Sequence, residues 1–442
     1  MNGLHQTWVE WWLLALRSQL SILHSICCIF ADGIWVDAQR CGATYQAAAL
    51  IHTQHIITHN KVEQAIYSFR RVAIKIGSNV LTRDDGALDV TRMSAIVDEV
   101  AALHKAGVEV ILISSGAVAS GRSEMAASTG GAMASMGDAA RMEVAQRSLD
   151  SVSQRQLYSA VGQAKLINRY YELFREHRIT VGQVLTTKEN FATRRHYLNQ
   201  RTCMSVMLDC GVIPIVNEND TISVSELMFT DNDELGGLIA GMMNVEALII
   251  LSNVDGLYTG DPALPSSSVI RVVEQGKDVS DYIVATKSGF GRGGMKTKAT
   301  TCRRVADEGI HVFIANGKRT GILLDLARNP KQTMATHFFP ADKEVSCVKK
   351  WIAHSDGFAK GELHLNEQAS MAVQGTQAVS ILPVGVTRIE GSFEKDDIVR
   401  LIDNAGKQIG VGKAAYGDAK AREAMGKHRQ RPLVHYDYLY IE

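Results

Sequence analysis

Four short runs in this 442-residue chain have the residue types and spacing to handle phosphate and carboxylate groups. Lys75-Ile76-Gly77-Ser78-Asn79 sets a cation beside a glycine turn whose bare backbone admits a phosphate, although a lysine snorkelling from a strand end fits as well. Ser114-Ser115-Gly116-Ala117 leads into a helix-forming stretch, where small residues leave backbone N–H groups and the positive dipole end open to an anion. Serine also caps many helices that bind nothing. Asn217-Glu218-Asn219-Asp220 follows an apolar run, and Asp231-Asn232-Asp233 begins eleven residues beyond Asp220. Carboxylates receive an ammonium and amides donate to an α-carboxylate, so two such clusters suit an amino-acid ligand; an Asx-rich turn is the plain alternative.

The fourth run, Ser288 to Lys298, is glycine-rich and opens a helix. Gly289, Gly291 and Gly294 satisfy G-x-G-x-x-G, but a dinucleotide fingerprint follows the first strand, and this one lies late in the chain. NAD is therefore disfavoured. Glycines with Arg292, Lys296 and Lys298 resemble a triphosphate cradle instead. Neither G-x-x-x-x-G-K-[ST] nor the protein-kinase H-R-D and D-F-G motifs occur. Together the four runs ask for phosphoryl transfer: Lys75 and Lys298 flank the migrating group, and Asp233 holds them in place. An acceptor that is already a carboxylate needs no general base, which agrees with the lack of a histidine in any of the runs.

These residues need a scaffold that brings strand ends together. Val72 to Ile76 and Val108 to Ile113 read as buried strands around a helix in which Met93, Ile96, Val97, Val100 and Leu103 recur until Gly107. Further apolar strands at Val212 to Val216, Ala247 to Leu251 and His311 to Ala315 predict an α/β three-layer sandwich with a mostly parallel central sheet. Such sheets bind ligands just beyond the carboxyl ends of their strands, and the four runs are read as such exits. Between Gly121 and Leu157 no period is visible, and the Ser, Ala, Gly and Met-rich part predicts a surface loop or lid. From Gly361 short strands and turns predict a small all-β module of about 80 residues.

The composition is that of a soluble chain with two or three domains at roughly 150 residues each. Lys+Arg and Asp+Glu number 47 each, which disfavours a strongly electrostatic nucleic-acid binder. Seven scattered cysteines with no C-x-x-C exclude a disulfide framework or structural zinc and suit a reducing, cytoplasmic address. Residues 1–68 form an atypical extension holding four of the five tryptophans, Trp8, Trp11, Trp12 and Trp35. Its apolar run is broken by Arg17, Gln19, Ser21 and His24 before the roughly 18 residues of a membrane span, and Glu10 with no preceding Lys or Arg argues against a secretory signal. The reading is a disordered leader or an artefact of the start site.

The lysine, Ser-Ser-Gly-Ala, Asn-Glu-Asn-Asp and Asp-Asn-Asp runs, with Gly256-Leu-Tyr-Thr-Gly-Asp261-Pro262 and Gly293-Gly-Met-Lys-Thr-Lys298, resemble in this order the glutamate 5-kinase family of amino-acid kinases. The resemblance assigns residues 69–335 to the kinase domain, 336–360 to a linker and 361–442 to a PUA-like domain. It implies ATP-dependent phosphorylation of the γ-carboxylate of L-glutamate, the first step of proline synthesis, with proline as feedback inhibitor and a homo-oligomeric assembly. Lys75, Lys298 and Asp233 carry over as catalytic residues, and Ser115, Gly116, Asn217, Asp220 and Asn232 as the glutamate site. ATP would meet Lys75, Ser252, Asn253, Arg292, Gly293, Gly294, Met295, Lys296, Thr297 and Lys298; Mg2+ would travel with the nucleotide and has no protein ligand. Relatives often carry Thr-Asp where this chain has Ser252-Asn253, and its 126–151 stretch is longer. The rivals are sister kinases of aspartate, acetylglutamate, carbamate or UMP, and an RNA-binding PUA protein. Ten Lys+Arg against eleven Asp+Glu in residues 361–442 weigh against RNA.

Overall fold

The structure is a computed structural model that describes residues 67–83, 85–130, 149–223, 229, 231–262, 264–275, 295–342, 347–353, 355–375 and 378–441. The extension to residue 66, the middle of the 126–151 stretch, and Arg292, Gly293 and Gly294 lie outside them. The first body alternates strands and helices: β1 (Arg71–Ile76), α1 (Val90–Lys105), β2 (Glu109–Ser114), α2 (Ala117–Gly130), α3 (Ser151–Glu176), β3 (Val181–Thr186), α4 (Arg194–Asp209) and β4 (Ile213–Glu218). It continues with α5 (Asn232–Met243), β5 (Ala247–Ser252), β6 (Val272–Val273), α6 (Met295–Asp307), β7 (His311–Asn316), α7 (Ile322–Arg328) and β8 (Ala335–Phe338).

The strands form one sheet in the order β3-β4-β2-β1-β5-β7-β8-β6, parallel throughout except for the β7–β8 pair. β1 lies at its centre, in register with β2 (Lys75 opposite Ile113) and β5 (Lys75 opposite Ile250). The period of two sends Val72, Ile74 and Ile76 into the core on one face, with α1, α3 and α7. Ala73 points into the opposite core with α5 and α6, and Lys75 shares that side. The alternation of β1 thus aims one cation at the face that receives α5.

Two crossings depend on glycine. A Cβ built at Gly236 would stand 3.4 Å from the Cβ of Lys75, and one at Gly237 would stand 2.9 Å from Val305 Cγ2 on α6. Bare backbone there lets α5 lie against both β1 and α6. Gly121 on α2 and Gly162 on α3 meet still more closely, since a Cβ at Gly162 would fall 1.8 Å from Ala117 O. This contact corrects the reading of Gly121 to Leu157 as loop: residues 117–130 and 151–157 are helical. Helices that pack backbone to backbone use small residues, so the periodic large apolar side chains that mark a helix in sequence are absent there.

The second body holds β9 (Gly361–Leu365), α9 (Glu367–Gln374), β10 (Val386–Gly391), β11 (Ile398–Ile402), β12 (Gln408–Ala414), α10 (Asp418–Ala424) and β13 (Val434–Ile441), joined to the first by α8 (Cys347–Ala353). Its five-stranded sheet runs β10-β9-β11-β12-β13, with only β9–β11 parallel. The expected linker 336–360 is structured in part. Trp351 on α8 is buried, donates its indole N–H to Phe191 O at 2.8 Å, and shares a core with Leu238 of α5 and Val411 of β12. Among the described residues, no helix is long and apolar enough to cross a membrane.

Candidate active site

The carboxyl ends of β1, β2, β4 and β5 and the amino ends of α2, α5 and α6 border one cavity of about 690 Å³. At its base, Lys75 Nζ lies 2.6 Å from Asp233 Oδ1, and Lys298 Nζ donates to Asp233 Oδ2. The three side chains are 7%, 12% and 4% exposed for Lys75, Lys298 and Asp233, so the pairing takes place in a region that excludes most water. Asp233 reaches both lysines from the first turn of α5. That turn is fixed by Asp231, whose carboxylate accepts the N–H groups of Asp233 and Glu234 at 2.9 Å each.

The charges respond to this crowding. Burial alone would raise the Asp233 pKa, but the two ammonium groups outweigh it and hold the carboxyl well below the usual range. Burial lowers Lys75, with Asp233 opposing and Lys298 adding to the fall; for Lys298, burial is outweighed by Asp233 and the net direction is up. One carboxylate shared by two lysines leaves positive charge directed into the cavity. The space beside it is kept open by Gly77, where a Cβ would stand 3.0 Å from Leu251 O and 3.8 Å from Lys75 Nζ. A bare backbone turn beside paired cations fits a polyphosphate.

Amides link this base to a second charged cluster. Asn232 Nδ2 donates to Ser115 Oγ at 2.8 Å and to Asn217 Oδ1 at 3.2 Å, and Asn217 Nδ2 donates to Gln163 Oε1 at 2.8 Å. Beyond Asn217, Arg155 Nη2 bonds Asp220 and lies 3.4 Å from Glu218 Oε2. Glu218 Oε1 accepts the N–H of Phe229 at 3.0 Å, tying the loop after β4 to the strand end. Burial, and then the Asp220 charge, push the Glu218 carboxyl up to about 7.

The structure therefore gathers Lys75, Lys298, Asp233, Ser115, Gly116, Asn217, Asp220, Asn232, Ser252, Asn253 and Met295 on one cavity wall. Lys296 and Thr297 share the first turn of α6 but are not on that wall, because only positions three apart, Met295 and Lys298, face the same way. Sequence reasoning missed Glu218, Arg155 and Gln163. Glu218 stood inside a motif already singled out; the other two lie on α3, whose first two turns carry no apolar period.

The model of the amino acid kinase family matches residues 70–316, and that of the PUA domain matches residues 361–436. A glutamate 5-kinase of Bacteroides thetaiotaomicron is 67% identical over 374 residues, which are 85% of this chain and 99% of that protein. Those of Chlorobaculum tepidum and Chromohalobacter salexigens are 44% and 34% identical, over 84% and 85% of this chain and 98% and 97% of their own lengths. With a family match spanning more than half of its length and these relatives covered almost end to end, the chain belongs to the amino acid kinase family, among the glutamate 5-kinases that carry a C-terminal PUA domain.

Proposed function

We propose that this kinase transfers the γ-phosphoryl group of ATP to the γ-carboxylate of L-glutamate, giving L-glutamyl 5-phosphate and ADP, the first step of proline biosynthesis. The observation that carries the proposal is the buried Lys75–Asp233–Lys298 bridge at the base of a cavity whose other charged cluster holds two carboxylates and a guanidinium. Lys75 and Lys298 stabilise the equatorial oxygens of the phosphoryl group in flight, and Asp233 keeps both ammonium groups charged and at fixed positions. Gly77 admits the phosphate chain to the lysines. Ser115 and Asn232 orient the acceptor carboxylate, and Ser252, Asn253 and Met295 form the nucleotide side of the wall. The acceptor is ionised at neutral pH, so no residue has to remove a proton.

Mg2+ supplies charge neutralisation on the nucleotide phosphates when bound, and none of the steps assigned to these residues passes through a protein-held metal. The kinase activity is assigned to residues 69–335, with 361–442 as the appended domain. A panel of L-glutamate, L-aspartate, N-acetyl-L-glutamate and UMP, scored by ADP release, tests the substrate. We expect kcat/KM for L-glutamate to exceed each rival by at least ~100-fold, the scale set by buried polar partners left unpaired in the wrong ligand. Preference for any other member of the panel overturns the assignment.

A further inference from the structure

We propose that Asp255 positions the nucleotide side of the cavity: with Arg319 and Asn316 it forms a latch across the exits of β5 and β7 that holds Ser252 and Asn253 where ATP meets them. The inference rests on the nucleotide reading above and adds to it a positioning residue that does not itself line the cavity.

Ser252 ends β5, and residues 253–257 belong to no helix or strand. Such a segment keeps one shape only when something outside it holds it. The neighbouring strand does so. Ser252 lies opposite Asn316 in the parallel ladder, and the N–H of Gly317 donates to Ser252 O at 2.8 Å. From that anchored exit two side chains reach back to Asp255. Asn316 Nδ2 donates to Oδ1 at 3.0 Å, and Arg319 donates from Nε to Oδ1 and from Nη2 to Oδ2 at 2.7 Å each. The fork engages both carboxylate oxygens, which fixes the direction of the acid as well as its distance. Partly exposed ion pairs are ordinarily weak supports, but a bidentate guanidinium joined by a third donor is the geometry in which they hold. The Arg319 bonds also keep the Asp255 carboxyl below its usual range, so the acceptor is charged at neutral pH.

The far side of the latch is itself tied down. Asn316 Oδ1 accepts the N–H of Lys318 at 2.9 Å, and its carbonyl accepts that of Arg319 at 3.1 Å, which closes a turn at the β7 exit. A Cβ at Gly317 would stand 2.7 Å from Val80 Cγ1 and 3.0 Å from Leu251 Cβ, so this turn presses against the one-turn helix Ser78–Leu81 that follows Gly77. The turn that abuts the phosphate end of the cavity therefore grips, through Asp255, the loop that carries Ser252 and Asn253. Releasing that loop shifts the nucleotide wall and leaves the lysine bridge and the Ser115–Asn232–Asn217 amides with all their bonds.

The test sets the KM for ATP against the KM for L-glutamate. In Asp255→Ala, KM for ATP rises by roughly tenfold, while KM for L-glutamate and kcat stay within about threefold. Arg319→Met gives the same split, and the double variant is no worse than either single one, because both remove one shared interaction. Calorimetric binding of ADP in the absence of glutamate weakens by the same factor. Asp255→Asn keeps an oxygen toward Asn316 and decides the matter if melting curves show that Asp255→Ala is unfolded. Equal rises in both KM values, or an unchanged KM for ATP in a folded variant, overturns the proposal. So does a loss confined to Arg319→Met, which would make the arginine a nucleotide ligand in its own right. Asn253→Trp, which fills that side of the wall, tests the reading beneath: an unchanged KM for ATP there overturns the nucleotide assignment of Ser252 and Asn253 instead.

Discussion

Replacing Lys298 with alanine lowers turnover by at least ~100-fold, or about 2.7 kcal/mol of transition-state stabilisation, and leaves the KM for glutamate within a few-fold. The ammonium is held at the amino end of α6 by Asp233, and nothing else among the described residues puts a cation on that side of the shared carboxylate. Its contribution grows as charge spreads over the transferring oxygens, so the loss belongs in kcat. The core of α6 is formed by Ala299, Cys302, Val305 and Ala306, which the substitution does not touch, so the folded state persists. Steady-state kinetics with a melting curve check both parts; turnover within threefold of wild type would remove Lys298 from the mechanism.

Asp233→Asn produces the second large effect, and it differs in kind. Asparagine preserves the shape of the first turn of α5 but leaves two buried ammonium groups with no shared carboxylate. Removing one partner from a buried ionic cluster costs about 3–5 kcal/mol, because the remaining charges are neither hydrated nor paired. Asp231 is near enough to act electrostatically on both lysines, but its Oδ1 is held by the N–H groups of Asp233 and Glu234 as the cap of α5 and makes no ion pair with either lysine. The variant is therefore expected to lose stability as well as at least ~100-fold in turnover, whereas Lys298→Ala loses mainly turnover. Denaturant unfolding separates the two. The sign with pH follows from the depressed Asp233 pKa: the stabilisation is full above the unfolded carboxyl's range and is lost as pH falls through the folded value. Equal unfolding midpoints for the variant and the wild type would show that the bridge does not support the fold.

The legible parts of the chain were those in which large apolar residues alternate or recur. All five expected strands appear, at Arg71–Ile76, Glu109–Ser114, Ile213–Glu218, Ala247–Ser252 and His311–Asn316, because central parallel strands are buried on both faces. β3 escaped notice because it is an edge strand whose Gly182 and Gln183 give it the look of a polar connection. The α2–α3 pair escaped because backbone contact at Gly121 and Gly162 replaces side-chain packing. The same distinction explains the site. Lys75, Asp233 and Lys298 were readable because each sits at a strand exit or a helix start, where position implies direction. Arg155 reaches the cavity wall, and Gln163 reaches Asn217 behind it, only through the angle at which α3 crosses α2, and that angle is set by glycines that carry no chemical signature of their own.

In the proposed reaction a carboxylate accepts a phosphoryl group between the two lysines, and the product of that step is an acyl phosphate. Trapping with hydroxylamine in the presence of ATP, Mg2+ and L-glutamate measures it most directly. One γ-glutamyl hydroxamate should form for each ADP released, with both signals falling together in Lys298→Ala. ADP released without hydroxamate, or hydroxamate formed undiminished by the alanine variant, would contradict it.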